Sequence, residues 1–235
     1  MIVRAPSLEL AKGSAVVAQT DEPIIRWKWI GDHTAEIKTA LVQHLELTLI
    51  AVGVGFVLSM ALALVILRFR ITFAPINAIT GVLYAIPSLA LFAILFPVTG
   101  LSTLTAEIGL VGYTLLILIR NIVAGVDGVP DSVKEAADGM GYRPLKRFFA
   151  VDLRLATPAI VAGIRIAAVT TIGLVTVTFV IGFGGYGGLI NDGLSRDFNT
   201  PVVVGAGLSI IMALVIDLVL VAVERLVTPW NRAPR

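Results

Sequence analysis

Apolar runs separated by short polar stretches fill the chain from residue 41 onward, and five of them are long enough to cross a bilayer as helices. A hydrocarbon core of about 30 Å needs roughly 20 helical residues at about 1.5 Å each. The runs cover residues 47–67, 76–97, 108–126, 159–182 and 202–223. Pro87 lies inside the second, where it is expected to kink the helix and free a carbonyl that a neighbour must satisfy. The pattern predicts an all-α membrane protein with five transmembrane helices. A charged island, DSVKEAADGMGYRPLKRFFAVDLRLATP at residues 131–158, separates the third and fourth runs.

The first forty residues depart from this pattern. Residues 1–22 read as a loose tail. Over residues 24–40, apolar side chains mix with charges, and Trp27 and Trp29 stand beside Arg26 and Lys28. Amphipathic rings next to cations suit the headgroup zone, so an interfacial amphipathic helix is expected, the alternative being a disordered leader that contains tryptophan. A sixth crossing before Leu41 is opposed by Asp32, His33, Glu36, Lys38 and His44. The expected organisation is therefore an extracytoplasmic tail and interfacial helix (1–40), a transmembrane domain (41–230) and a short cytoplasmic tail (231–235).

Composition agrees with a membrane protein: of 235 residues, 57% are hydrophobic and 14% charged. The net charge of +2 does not point to nucleic acid, because the basic residues flank the apolar runs. On one side stand Arg68, Arg70, Lys134, Arg143, Lys146, Arg147, Arg154, Arg225, Arg232 and Arg235, whereas the loops of the other side hold only Arg196. The positive-inside rule then places the island and the C-terminus in the cytoplasm and the N-terminus outside, in a prokaryotic cytoplasmic membrane. Arg26, Lys28 and Lys38 lie on the outer side and pull against this orientation. The chain has no cysteine, hence no disulfide or thiolate site, and neither His33 nor His44 stands among carboxylates at metal-ligand spacing.

Inside the island, Ser132 and Glu135 have capping-box spacing, so a first helix is expected to start there, with Asp131 adding charge at its positive end. Glycines at 139 and 141 stop it, and Pro144 is suited to the first turn of a second helix, which Pro158 ends by opening the fourth span. Two short helices at an angle follow, with Phe148 and Phe149 as packing residues, one beneath the hairpin and one toward a partner. Lys146 and Arg147 are either a docking surface or simply the orientation signal.

Charges within the spans narrow the chemistry. Arg120, Arg165 and Asp217 fall at a similar depth, roughly 9 to 12 Å from the island end of their helices. A lone ion in hydrocarbon is costly, so Asp217 is expected to pair with Arg165 or Arg120, in a buried ion pair that registers the fourth and fifth spans, a proton relay being the other reading. The stretch Gly182-Phe183-Gly184-Gly185-Tyr186-Gly187-Gly188 is too glycine-rich for a stable helix and is expected to form tight turns at an external gate, where Gly184, Gly185, Gly187 and Gly188 let backbone approach a partner. It lacks the Gly-Lys-Ser/Thr of a phosphate loop, and no such motif occurs elsewhere.

The spacing Glu135-Ala136-Ala137, three residues, Gly141, nine residues, Val151-x-Leu153 resembles the EAA loop of ATP-binding-cassette importer permeases. Val151 replaces the usual isoleucine and Arg154 the usual proline. HLELTLIAV (44–52), YAIPSLALFAIL (84–95), AIVAGIRIA (159–167) and TIGLVTVTFVIGFGGYGGLI (171–190) extend the likeness to permeases for osmoprotectants such as glycine betaine, carnitine and choline. Methionine-type permeases share the five-span plan, and a proton-coupled carrier is a further alternative. The resemblance implies the type I importer permease (MetI-like) fold and a coupling hairpin at 131–158 whose Glu135, Ala136, Ala137, Gly141, Lys146 and Arg147 meet an ATPase. It also implies a second permease subunit, two ATPase subunits and an extracytoplasmic solute-binding protein as partners. No cofactor belongs to the chain itself, since ATP and Mg would be held by the ATPase. Tyr84, Phe92, Phe96, Tyr113 and Phe179 are candidate aromatic faces for a quaternary ammonium.

Overall fold

The computed structural model describes residues 23–231. The expected tail over residues 1–22 lies outside the described residues, as do residues 232–235. Among the described residues the regular structure is helical throughout. Four helical stretches are long and apolar enough to span a bilayer: Thr34–Arg68, Thr103–Asp127, Pro144–Val175 and Asn199–Val227. A bent pair, Arg70–Ala85 with Ser88–Thr99, would make a fifth.

A short helix, α1 (Trp27–Asp32), precedes α2 (Thr34–Arg68), and the two part at His33. The expected interfacial helix is therefore divided: its second half is the first turns of a helix 35 residues long that continues into the membrane. Trp29 stacks on His33 at 4.3 Å, and the His33 Nδ1 lies 2.8 Å from the Trp29 carbonyl. The segment docks on the start of the last helix, α10 (Asn199–Val227): the Arg26 amide donates to Thr200 Oγ1 at 3.0 Å and the Arg26 guanidinium lies over Phe198.

The second apolar run is broken, not merely kinked. Helix α3 (Phe73–Ala85) and α4 (Ser88–Thr99) meet at 98°. The cause is local: a residue before proline is driven out of helical geometry, and Ile86 sits extended at φ −66°, ψ 127° ahead of Pro87. Its exposed carbonyl finds the partner that the sequence demands, because the Tyr113 hydroxyl donates to it. Tyr113 lies on α5 (Thr103–Asp127), whose start is capped by Ser102 accepting from the Thr105 amide at 3.2 Å.

Helix α5 is the axis of the fold. It packs on α2 and on α8 (Leu153–Val175), with Leu110, Leu118, Ile119 and Ile122 fully buried. Without a hydrophobic drive between helices in lipid, close backbone approach must supply the attraction. Gly125 provides it by lying against Ala156 and Ala159 of α8, where an added Cβ would come within 2.9 Å of the Ala159 methyl.

The helices sort the chain into two ends. At one end Arg70, after α2, forks onto Asp127 at the end of α5 (2.9 and 2.5 Å), beside the polar hairpin and the C-terminal turn Pro229–Asn231. At the other end lie α1, the glycine-rich turn and α9 (Tyr186–Ser195). Tyr113→Phe would leave the Ile86 carbonyl without its donor, at a cost of about 1–3 kcal/mol. We expect a lower melting temperature of the purified, detergent-solubilised protein; an unchanged one would mean that another group satisfies the break.

Candidate functional site

The polar hairpin between α5 and α8 is built from α6 (Asp131–Gly139) and α7 (Pro144–Arg147). The expected capping box does not form. Pro130, extended at φ −58°, ψ 139°, occupies the cap instead, and its carbonyl accepts from the Val133 and Lys134 amides at 3.0 and 3.3 Å. Ser132 thus falls inside the first turn, Asp131 meets Lys134 at 3.4 Å, and the Glu135 side chain is left exposed.

The glycine stop is as expected and can be resolved bond by bond. Gly141 takes φ +79°, the Tyr142 amide donates to the Ala137 carbonyl at 3.1 Å and the Gly141 amide to Asp138 at 2.9 Å. These are the two bonds of a Schellman motif, which closes a helix end without unmet carbonyls. Pro144 opens α7 at its first turn.

Beyond α7 the chain does not stop at Pro158. A single π-turn, Phe148–Asp152, joins α7 to α8, and Pro158 lies inside α8. The fourth span therefore starts well before residue 159 and ends at Val175, short of 182, with a 3₁₀ turn at Thr178–Ile181. Arg154, standing where the motif has proline, lets the helix run on, and its guanidinium lies 5.7 Å from the Trp230 ring.

The hairpin has an outer and an inner face. Glu135, Ala136, Gly141 and Lys146 are exposed, together with Met140, Leu145 and Phe149. Ala137, Phe148 and Asp152 are buried, and Phe148 joins a cluster with Ile66, Ile122, Val126 and Ala156. The two phenylalanines divide as expected, one beneath and one outward, meeting edge to face at 5.0 Å. Lys146 lies over the Tyr142 ring at 4.6 Å. Arg147 turns inward instead of presenting a docking surface: it donates to Asp138 at 2.6 Å and to Asp152 at 3.4 Å, stapling the first arm of the hairpin to the second.

Of the three intramembrane charges, Arg165 and Asp217 come together in a fork of 2.8 and 3.1 Å, with Glu224 at 3.4 Å. The pair bridges α8 and α10. It is not buried in the single chain, since about a third of each side chain is exposed. Arg120 does not join it and donates to Asn77 of α3 at 2.7 Å.

The glycine-rich stretch is tight but only half of it is a turn. Gly184 and Gly185 form the bend, whereas Gly187 and Gly188 lie in α9. Within that helix Gly187 passes the Thr176 carbonyl so closely that no Cβ would fit. The close approach is to the chain's own α2: the Gly185 amide donates to Gln43 at 2.9 Å and the Tyr186 amide faces His44 Nδ1 at 3.4 Å. His44 is fully buried, and its Nε2 lies 3.0 Å from the Ile172 carbonyl. One tautomer, with the proton on Nε2, satisfies both contacts.

A chain of spanning helices with a rigid polar hairpin at one end is the plan of a solute permease that receives its energy from another subunit. The family of binding-protein-dependent transport system inner membrane components matches residues 53–229, and the chain belongs to it. It is 35% identical over 187 residues to the choline transport system permease protein OpuBB of Bacillus subtilis, covering 80% of this chain and 86% of that one. The osmoprotectant import permease protein OsmW of Salmonella typhimurium is 31% identical over 203 residues, with 84% and 94% covered. Among solved structures, an inward-facing MetNI methionine ABC transporter shares the fold at TM-score 0.72 and 20% identity, covering 82% of this chain and 96% of that one. The protein is thus a multi-pass membrane permease subunit of the type I importer (MetI-like) fold. Its family works with a separate ATPase and a binding protein.

Sequence reasoning located the hairpin from its spacing but missed Asp138 and Asp152, which fix Arg147. Their signal was present as carboxylates nine residues before and five after the arginine. Arg147→Gln is expected to leave the subunit in the membrane yet reduce substrate-stimulated ATP turnover of the assembled transporter several-fold, with Lys146→Gln milder; equal effects would remove the staple as the cause. Asp217→Asn is expected to impair assembly, and Arg165→Gln in the same chain to add little. Strictly additive losses in that double-mutant cycle would show the two to act independently.

Proposed function

We propose that this chain forms the translocation pathway for a small trimethylammonium osmoprotectant such as glycine betaine, carnitine or choline. The observation that carries this reading is the identity to choline and osmoprotectant permeases over most of both chains. Two such subunits, identical or paired with a related one, would sit on two ATPase subunits that hold ATP and Mg, and a solute-binding protein would deliver substrate from outside. The clustering of Arg68, Arg70, Lys134, Arg143, Lys146, Arg147, Arg154 and Arg225 at the hairpin end supports a cytoplasmic hairpin and C-terminus. The glycine-rich turn then lies toward the outside, as a gate.

The exposed Glu135, Ala136, Met140, Leu145 and Phe149 make the outer face that the ATPase would grip. Coupling requires that nucleotide favour one of two arrangements of the spans. The Schellman closure and the Arg147 staple support this by making the hairpin a rigid body fused to α8. Of the aromatic candidates, Phe92 and Tyr113 are buried within the protomer, whereas Tyr84 and Phe96 remain open to a cation.

A second reading, a larger betaine, is favoured by 40% identity over 136 residues to the ergothioneine transport permease/ergothioneine binding protein EgtU of Helicobacter pylori, although only 24% of that protein is covered. Uptake of labelled choline by the reconstituted transporter, competed with glycine betaine, carnitine, ergothioneine and methionine, separates the readings. Glycine betaine and carnitine should compete while ergothioneine and methionine should not, competition by ergothioneine instead favouring the second reading, and ATP-free vesicles should show no uptake. Competition by methionine alone, or uptake without ATP, would overturn the proposal. Gly141→Asp, which forces a side chain onto a φ of +79°, should abolish uptake while leaving membrane insertion intact.

A further inference from the structure

A cavity of about 480 Å³ opens where the spans meet the hairpin. Leu64, Leu67 and Val126, at the ends of α2 and α5, form one wall, and Pro144, Leu145 and Phe148 of the hairpin form the other. Its polar lining is Arg68, Arg70, Lys134 and Arg147 against Asp127 and Asp152, an excess of positive charge. Arg70 is taken up by Asp127, and Arg147 by Asp138 and Asp152. Arg68, among the described residues, meets only the face of Phe69 at 5.7 Å, and Lys134 reaches one highly exposed carboxylate, Asp131, at 3.4 Å.

Asp152 carries the decisive observation. The residue is 4% exposed, it lines the cavity, and among the described residues its Oδ1 has no hydrogen-bond donor. A buried acceptor without a protein partner is open to a ligand that supplies a donor. An occupant must therefore offer two things at once: an anionic group to Arg68 and Lys134, and an N–H or O–H to Asp152.

We propose that the cavity binds a phospholipid headgroup carrying both a phosphate and a donor, as phosphatidylglycerol and phosphatidylethanolamine do. The position favours a lipid over a soluble anion. Leu64 and Leu67 belong to the last turn of a membrane-spanning helix, at the level of the headgroups, and Val65, Phe69 and Ile71 beside them present exposed apolar surface for acyl chains. A headgroup seated there bridges the end of α2 to the second arm of the hairpin. The proposal rests on membership of the family and on no particular transported substrate.

The test uses the assembled transporter in detergent, with retained lipid identified by mass spectrometry after exchange into a mixture of phosphatidylglycerol, phosphatidylethanolamine and phosphatidylcholine. The wild type should keep the first two in preference to phosphatidylcholine, whose headgroup has a phosphate and no donor. Arg68→Gln with Lys134→Gln should weaken retention about tenfold, the scale of a lost charge-assisted contact. Asp152→Ala, which removes the acceptor, should retain phosphatidylcholine as well as the others, abolishing the preference. If the double variant refuses to assemble, Arg68→Lys, which keeps the charge, should retain lipid while Arg68→Gln alone loses part of it. Retention unchanged in the double variant, or displacement of the lipid by inorganic phosphate, would overturn the proposal, the latter by assigning the cavity to a soluble anion.

Discussion

Inside a bilayer no water is available to a backbone amide or carbonyl that leaves the helix, and every departure from helical geometry must find its partner within the protein. Two breaks, one within the second apolar run and one at the end of the fourth, obey this condition. The Ile86 carbonyl, freed by Pro87, is met by the Tyr113 hydroxyl, and the amides of Gly185 and Tyr186 face Gln43 and His44. Both sets of partners come from other helices, α5 and α2. The irregular parts of the chain are therefore what tie the regular parts together. Removing one polar side chain at such a point leaves a bond that nothing nearby can replace.

The hairpin faces a different constraint, because it is polar and must hold its shape outside the packed bundle of spans. Its first arm is closed by a Schellman motif, its second is fused to α8 through a π-turn, and Arg147 spans the two. Isolated surface ion pairs contribute little, about 0–1 kcal/mol, so the staple matters for shape more than for stability. Beneath it, Phe148 joins side chains of α2, α5 and α8 in one cluster. The outward face is thereby left with Glu135, Ala136 and Gly141 of the motif, whereas Ala137 is buried beneath it.

Spans and hairpin were legible from the sequence because they rest on local rules: run length, glycine at positive φ, proline at a first turn. What failed were inferences in which local preference was overridden by context. Ser132 and Glu135 have the spacing of a capping box, yet Pro130 already holds the cap. Gly187 and Gly188 disfavour helix by propensity, yet both lie in α9, where packing against Thr176 leaves no room for a side chain at Gly187. Pro158 was read as a boundary although it falls within a helix that starts earlier. Depth alone leaves Arg165 and Arg120 both open to Asp217, but the expectation that the pair registers the fourth and fifth spans selects Arg165, and that is the partner found.

The continuity of the helix through Arg154 has a mechanical consequence. From Pro144 to Val175 the chain is one stretch of 32 residues, about 48 Å of rod at 1.5 Å per residue. Its first turn lies in the hairpin and its last abuts the 3₁₀ turn that leads to Gly184. A tilt of roughly 10° about its midpoint carries the two ends about 4 Å in opposite directions, by geometry alone. Pro158 lies within this rod without dividing it, and Arg154 adds no second proline near its start. The hairpin and the approach to the glycine turn are thereby the two ends of one continuous piece of chain.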